Sequence, residues 1–155
     1  MDKIALMRRA IELSLQSANQ NGGPFGAVVS FNGKIIGEGM NQVIATRDPT
    51  AHAEISAIRA ACEEIKSHQL TGCEIYTSCE PCPMCLGAIW WSRIAKVYYG
   101  NTQLDAAAIG FDDHAFYREL SLPAAQRTVA AEQLCGNEAA QVFAAWLRNP
   151  QRILY

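Results

Sequence analysis

The chain has 155 residues, half of them apolar, and a formal charge of −2. That length supplies one ordinary domain with enough chain for a core, and that composition suits a globular protein and argues against a disordered one. The balance near neutrality asks for no nucleic-acid backbone as partner, and no apolar stretch is long enough to span a bilayer. The opening MDKIALMRRAIELSL lacks the apolar centre of a signal peptide, so a cytoplasmic protein is expected. Six cysteines in that setting point to metal binding or packing rather than a disulfide framework.

Ile4, Met7, Ile11, Leu15 and Ala18 recur at helical spacing and predict an amphipathic helix over residues 3–20, with Arg8-Arg9 on its solvated side. Asn21-Gly22-Gly23-Pro24 ends it. Residues 25–31 and 34–40 read as strands joined by Asn32-Gly33, the pair that suits a two-residue hairpin. A loop over 41–50 follows, and Thr50 is the expected cap of a second helix over about 51–65. Glu74–Ser78 reads as a strand. Pro83 suits the first turn of a third helix running to about Trp91. Ala95–Gly100 is a further strand. Strand–helix–strand alternation predicts that part of the sheet is parallel, with helices on both faces. Residues 104–127 read as short helices and loops, 128–133 as a last short strand, and 138–148 as a helix stopped by Pro150. No repeat, linker or low-complexity tract interrupts the chain.

The chemistry concentrates in three places: His52-Ala53-Glu54, Pro81-Cys82, and Cys85. One imidazole and two thiolates fill three corners of a zinc tetrahedron and leave the fourth for water. A structural zinc takes four protein ligands, so the missing one points to a catalytic metal. Cys82 and Cys85 fall three apart at an expected helix start, whose electropositive end favours thiolate. Glu54, two residues from His52, is the natural proton carrier for the water. A Cys-x-x-Cys alone is more often a redox pair or half of a zinc knuckle, and a lone His-x-Glu is most often a solvated helix face. The combination is far more specific, because proline precedes the first cysteine and no second cysteine pair completes a four-sulfur site. His-x-Glu followed by Pro-Cys-x-x-Cys is the pattern of the zinc nucleobase deaminases. Cys62, Cys73, Cys79 and Cys135 have no ligand spacing, and His68 and His114 read as surface residues.

Over essentially its whole length the chain resembles the cytidine-deaminase-like zinc family, and within it the short bacterial guanine deaminases. The resemblance is carried by Gly22–Ala27, by Asp48–Glu54, by Thr77–Cys85 and by Gly110-Phe111-Asp112-Asp113, together with an ending in Tyr155. It implies a three-layer α/β/α sandwich with a mixed five-stranded sheet, one zinc per subunit, and hydrolysis of the amine at carbon 2 of guanine to xanthine and ammonia. It also implies a homodimer in which a single domain spans 1–155 and its C-terminal segment, about 113–155, is exchanged to close the partner's site. Residue by residue, it makes Glu54 and Asp113 catalytic and His52, Cys82 and Cys85 the metal ligands. Asn41 then binds the purine's polar edge, Phe25 its face, and Ala53 offers a backbone amide, while Trp91 and Tyr155 line or lid the pocket. The plainer readings are core or dimer packing for Trp90-Trp91, a helix cap for Asp112-Asp113, and a frayed end for Tyr155.

Three other functions share parts of this pattern. A guanosine deaminase uses the same site. A tRNA adenosine-editing enzyme needs an open pocket and a basic track, which the charge balance disfavours. A non-catalytic zinc module needs a fourth protein ligand, for which Glu54 is the nearby candidate. Aminated triazines remain conceivable side substrates.

Overall fold

A computed structural model describes residues 1–154; Tyr155, named above as a lid residue, lies outside the described residues. The chain divides into two compact units, Met1–Tyr117 and Arg118–Tyr155.

In the first unit, Asp2 caps helix α1, Lys3–Asn19, by accepting a 2.7 Å hydrogen bond from the Ala5 amide. The helix is where the periodicity places it, but its buried face is a different one. Leu6, Ala10, Leu13 and Ser17 are buried, whereas Ile4, Ile11 and Leu15 stay exposed. The reason is close approach. Gly26 lies so near α1 that a Cβ there would come within 2.2 Å of the Ala10 carbonyl, so the face that carries Ala10, between Leu6 and Leu13, is the one that meets β1.

Strands β1, Gly26–Phe31, and β2, Lys34–Met40, form the expected hairpin, with Asn32 and Gly33 both at positive φ. A short helix α2, Val43–Thr46, breaks the expected loop. Helix α3 spans Ala53–Ile65, strand β3 Glu74–Cys79, helix α4 Pro83–Trp91 and strand β4 Lys96–Asn101. The sheet order is β2-β1-β3-β4; β1 runs antiparallel to both neighbours and β3 pairs parallel with β4. Alternation along the strands sorts the core into two clusters. Val28 and Tyr76 face α1, and Ala27, Val29 and Ile75 face α3 and Ile89 of α4. The three-layer α/β/α arrangement and the mixed sheet therefore follow the expectation. Helices α5, Gln103–Ala108, and α6, Asp113–Ser121, continue from β4.

The expected five-stranded sheet has four strands among the described residues. Residues 128–133 are irregular, because the Thr128 amide and hydroxyl are taken by the Glu119 carboxylate at 2.8 and 3.0 Å rather than by a ladder. The second unit otherwise holds the end of α6, a 3₁₀ turn at Ala124–Gln126, and helix α7, Gly136–Arg148. Val142, Phe143, Trp146 and Leu147 make one exposed apolar face of α7, and no described residue of this unit is buried.

Candidate active site

Two helix N-termini build the centre. His52 is the N-cap of α3 and Cys82 the N-cap of α4, both in extended backbone and neither using its side chain to cap. The expected cap, Thr50, instead donates its hydroxyl to Asp48 at 2.7 Å, two positions before the N-cap. A capping oxygen turns back to its own helix, whereas these side chains are free to point forward into a shared site. Cys85 sits in the first turn of α4 and is fully buried.

The three side chains converge. His52 Nδ1 lies 3.7 Å from Cys82 Sγ and 3.6 Å from Cys85 Sγ, and the three donor atoms fall within 4.8 Å of one another. A zinc about 2.0–2.1 Å from nitrogen and about 2.3 Å from sulfur, at the tetrahedral angle, requires nitrogen and sulfur to lie about 3.6 Å apart. The donor set and its spacing thus fit zinc, and three protein ligands leave one position open.

The electrostatics suit metal binding. Hydrogen bonding to Cys85 holds the Cys82 thiol down to about 4, with His52 adding to the effect, so Cys82 is a thiolate. Cys85 is held above the ordinary thiol range by that same hydrogen bond and by burial. Zinc takes both sulfurs as thiolates, so its binding would release any proton that either one holds. His52 is raised, first by its contact with Cys82. Glu54 is buried in the first turn of α3 and interacts with the Cys85 thiol; burial raises its carboxyl above the usual range. A carboxyl that holds its proton more readily than an exposed one suits proton transfer near neutrality.

A cleft of about 500 Å³ leads to His52, lined by Gly23, Phe25, Asn41, Val43, Ile44 and Phe111 among others. Phe25 and Phe111 meet edge to face, centroids 4.8 Å apart at 86°. Asn41 is buried, and its Oδ1 accepts the Val43 amide at 3.2 Å. Ala53 is the first residue of α3, where an amide has no acceptor within its helix. Asp113 opens α6; burial raises its carboxyl, and its charge couples to those of Cys82 and His52. Its neighbour Asp112 accepts the Ala115 amide at 3.0 Å. The cap thus falls to Asp112 rather than to Asp113.

Among the sequence-predicted site residues, His52, Cys82, Cys85 and Glu54 come together, Phe25 and Asn41 line the cleft, and Asp113 sits close by. Trp91 does not join them within the chain. It ends α4, about 12 Å of helix from the cysteine end, half exposed beneath the Arg93 guanidinium. Sequence reasoning missed Phe111, although it lies inside the quoted Gly110–Asp113 stretch. It also missed Tyr117, whose hydroxyl donates to the Pro81 carbonyl at 2.9 Å and for which no motif gave a signal.

Residues 1–101 match the model of the cytidine and deoxycytidylate deaminase zinc-binding region, and the chain belongs to this family of zinc-dependent hydrolytic deaminases. Its relatives narrow the placement. The chain is 48% identical to guanine deaminase from Bacillus subtilis over 94% of both sequences. The crystal structure of that enzyme superposes with a TM-score of 0.96 at 46% identity, covering 100% of this chain and 99% of the other. A tRNA-specific adenosine deaminase from Haemophilus influenzae is 41% identical over 72% of this chain and 65% of its own length. No helix of the described residues is long and apolar enough to cross a membrane.

Proposed function

We propose that this chain hydrolyses guanine to xanthine and ammonia, using one zinc held by His52, Cys82 and Cys85. The observation that carries the reading is the likeness to the Bacillus subtilis guanine deaminase, which runs the length of both chains. The zinc site alone would leave the whole family open.

When bound, zinc supplies the Lewis acidity that makes water nucleophilic at neutral pH. Glu54 would take one proton from the water as the water oxygen bonds to carbon 2 and pass it to the adjacent ring nitrogen. It would then take the second proton from the added hydroxyl and give it to the amino group, whose bond to carbon 2 breaks to release ammonia and leave the carbonyl of xanthine. The burial of Glu54, which raises the carboxyl, supports both halves of the shuttle. Asp113 accepts from the ring N–H and the amino group along guanine's donor edge. Asn41 has its oxygen occupied by Val43, so its amide nitrogen is the part free to donate to the purine. Ala53 offers its backbone amide from the helix N-terminus. The aromatic walls of Phe25 and Phe111 suit a flat heterocycle.

The working unit in this reading is a cytoplasmic homodimer in which the C-terminal part of the segment from about 113 to 155, beyond the bond from Tyr117 to the chain's own Pro81, closes the partner's site. Trp91 and Tyr155 then belong to a lid shared between subunits, and 128–133 adds its strand only in that assembly. The exposed apolar face of α7 supports this, because such a face on a helix is normally covered.

The test is an ammonia-release assay on zinc-loaded protein with guanine, guanosine, adenine, cytosine and a tRNA anticodon hairpin. A signal confined to guanine is expected. Equal turnover of guanosine would replace the reading with a nucleoside deaminase, and release from the hairpin would replace it with a tRNA-editing enzyme.

A further inference from the structure

Tyr117 is the residue of the first unit that ties α6 to the metal-ligand loop. Its hydroxyl donates to the Pro81 carbonyl at 2.9 Å, and Pro81 immediately precedes Cys82. Tyr117 lies four residues after Asp113 on the same helix, so the two side chains share one helix face a turn apart. Asp113 is therefore the near neighbour of a group anchored on the ligand loop, and its charge is felt at Cys82 and His52.

The ligand loop is braced from the other side as well. The Glu80 amide donates to the Asn101 carbonyl at 2.8 Å, and the Glu80 carboxylate accepts the Gln103 amide at 3.0 Å. Those bonds fix Pro81 to β4 and α5 without help from α6. The phenol adds something different. It ties α6 directly to the carbonyl beside Cys82, one helical turn from Asp113. Asp112, bound to its own helix at Ala115, has no such role. The other contact described at this end of α6 is Phe111 against Phe25, which packs the chain two residues before Asp113 but makes no bond to the ligand loop.

We propose that Tyr117 is a positioning residue that aims Asp113 at the substrate by holding α6 to the Pro81 carbonyl. The inference rests on the reading of Asp113 as a substrate-binding carboxylate. It predicts a binding defect that passes through Asp113 while metal and fold stay intact.

The experiment compares Tyr117→Phe, Asp113→Ala and the double variant as zinc-loaded full-length enzymes. Tyr117→Phe keeps the ring and removes only the donor. It should raise KM for guanine about tenfold and lower kcat by less than about threefold, a loss matching one hydrogen bond's worth of positioning. Zinc content and melting temperature should match the parent. In the Asp113→Ala background the same change should have almost no further effect, because the two act as one unit. Equilibrium dialysis of guanine against inactive Glu54→Gln enzyme, with and without Tyr117→Phe, should show the same tenfold weakening without any turnover. If Asp113→Ala leaves kinetics unchanged, the substrate role of Asp113 fails first. If Asp113→Ala is crippling but Tyr117→Phe is silent, or the two effects multiply, the positioning role alone is overturned. A Tyr117→Phe enzyme that loses zinc or melts early overturns it too, since the hydroxyl would then be holding the fold rather than the carboxylate.

Discussion

His52 and Cys82 occupy N-cap positions that Ser, Thr, Asp or Asn would ordinarily fill, and each forgoes a cap worth about 1 kcal/mol. Two unsupported helix starts are therefore compensated only when a metal binds at their meeting point. This gives Cys82→Ser a double signature. The variant should lose stoichiometric zinc and all activity, since two ligands hold the ion poorly. Yet its metal-free form should melt above the metal-free parent, because serine restores the cap. Metal analysis and paired thermal melts read both arms, and a less stable apo variant would mean that Cys82 supports the fold by packing rather than by ligation. Glu54 separates chemistry from binding at the same centre. Glu54→Gln keeps size and burial but cannot carry a proton back and forth. It should retain full zinc and lose at least about a thousandfold in kcat. Retention of a substantial rate would remove Glu54 from the proton path.

At the level of elements, α3 is pressed onto β2 by missing side chains. A Cβ at Gly39 would sit 2.2 Å from the Ala53 carbonyl, and one at Gly37 would meet the Ala57 carbonyl at 2.4 Å. Ala53 lies between His52 and Glu54, so Gly39→Ala should push the start of α3 off the sheet. The expected cost is about 3 kcal/mol with a matching fall in zinc affinity; unchanged zinc binding would show that the helix start is not set by β2. A second tie joins α1 to β2, where the Arg9 guanidinium grips Glu38 at 2.7 and 2.9 Å. That contact lowers the Glu38 carboxyl below its ordinary range. A depressed folded-state carboxyl stabilises above its unfolded pKa and loses that contribution as pH falls through the folded value. Glu38→Gln should thus cost about 0.5–1 kcal/mol at pH 7, kept small by partial exposure of both side chains, and the difference from the parent should vanish well below pH 4. Denaturant melts at both pH values check it. These elements also show what could be read in advance. Hydrophobic periodicity found α1 but chose the Ile4–Ile11–Leu15 face, because Leu6, Ala10 and Leu13 form a second apolar stripe and only the close approach of Gly26 to Ala10 selects between the two. Propensity chose Thr50 as cap, because it does not know that a helix start can be given over to a metal. The ligands themselves were legible, since coordination chemistry fixes residue type and spacing. Phe111 and Tyr117 were not, since their contacts with Phe25 and Pro81 join residues far apart in the chain.

For the whole molecule, the second unit poses the remaining physical problem. None of its described residues is buried, and α7 presents Val142, Phe143, Trp146 and Leu147 together. Four large apolar groups on one helix face each release about 1.5–3 kcal/mol when fully covered, which is more than enough to drive association. A second copy is the economical cover in an exchanged dimer, because a two-fold arrangement satisfies both helices at once. Val142→Glu with Phe143→Glu should then turn a dimer into a monomer by sedimentation, with activity lost although the zinc ligands are untouched. Exchange makes a sharper claim that simple side-by-side pairing does not. Mix two inactive chains, one carrying Cys82→Ser with its tail intact, the other lacking residues 151–155 with its metal site intact. In an exchanged dimer each mixed pair regains one complete site, so random reassortment should restore about a quarter of the parent activity. If the mixture stays inactive while size measurements show that mixed dimers have formed, each tail closes its own chain's site and the exchange is wrong. If the truncated chain alone is fully active, the tail does not close any site.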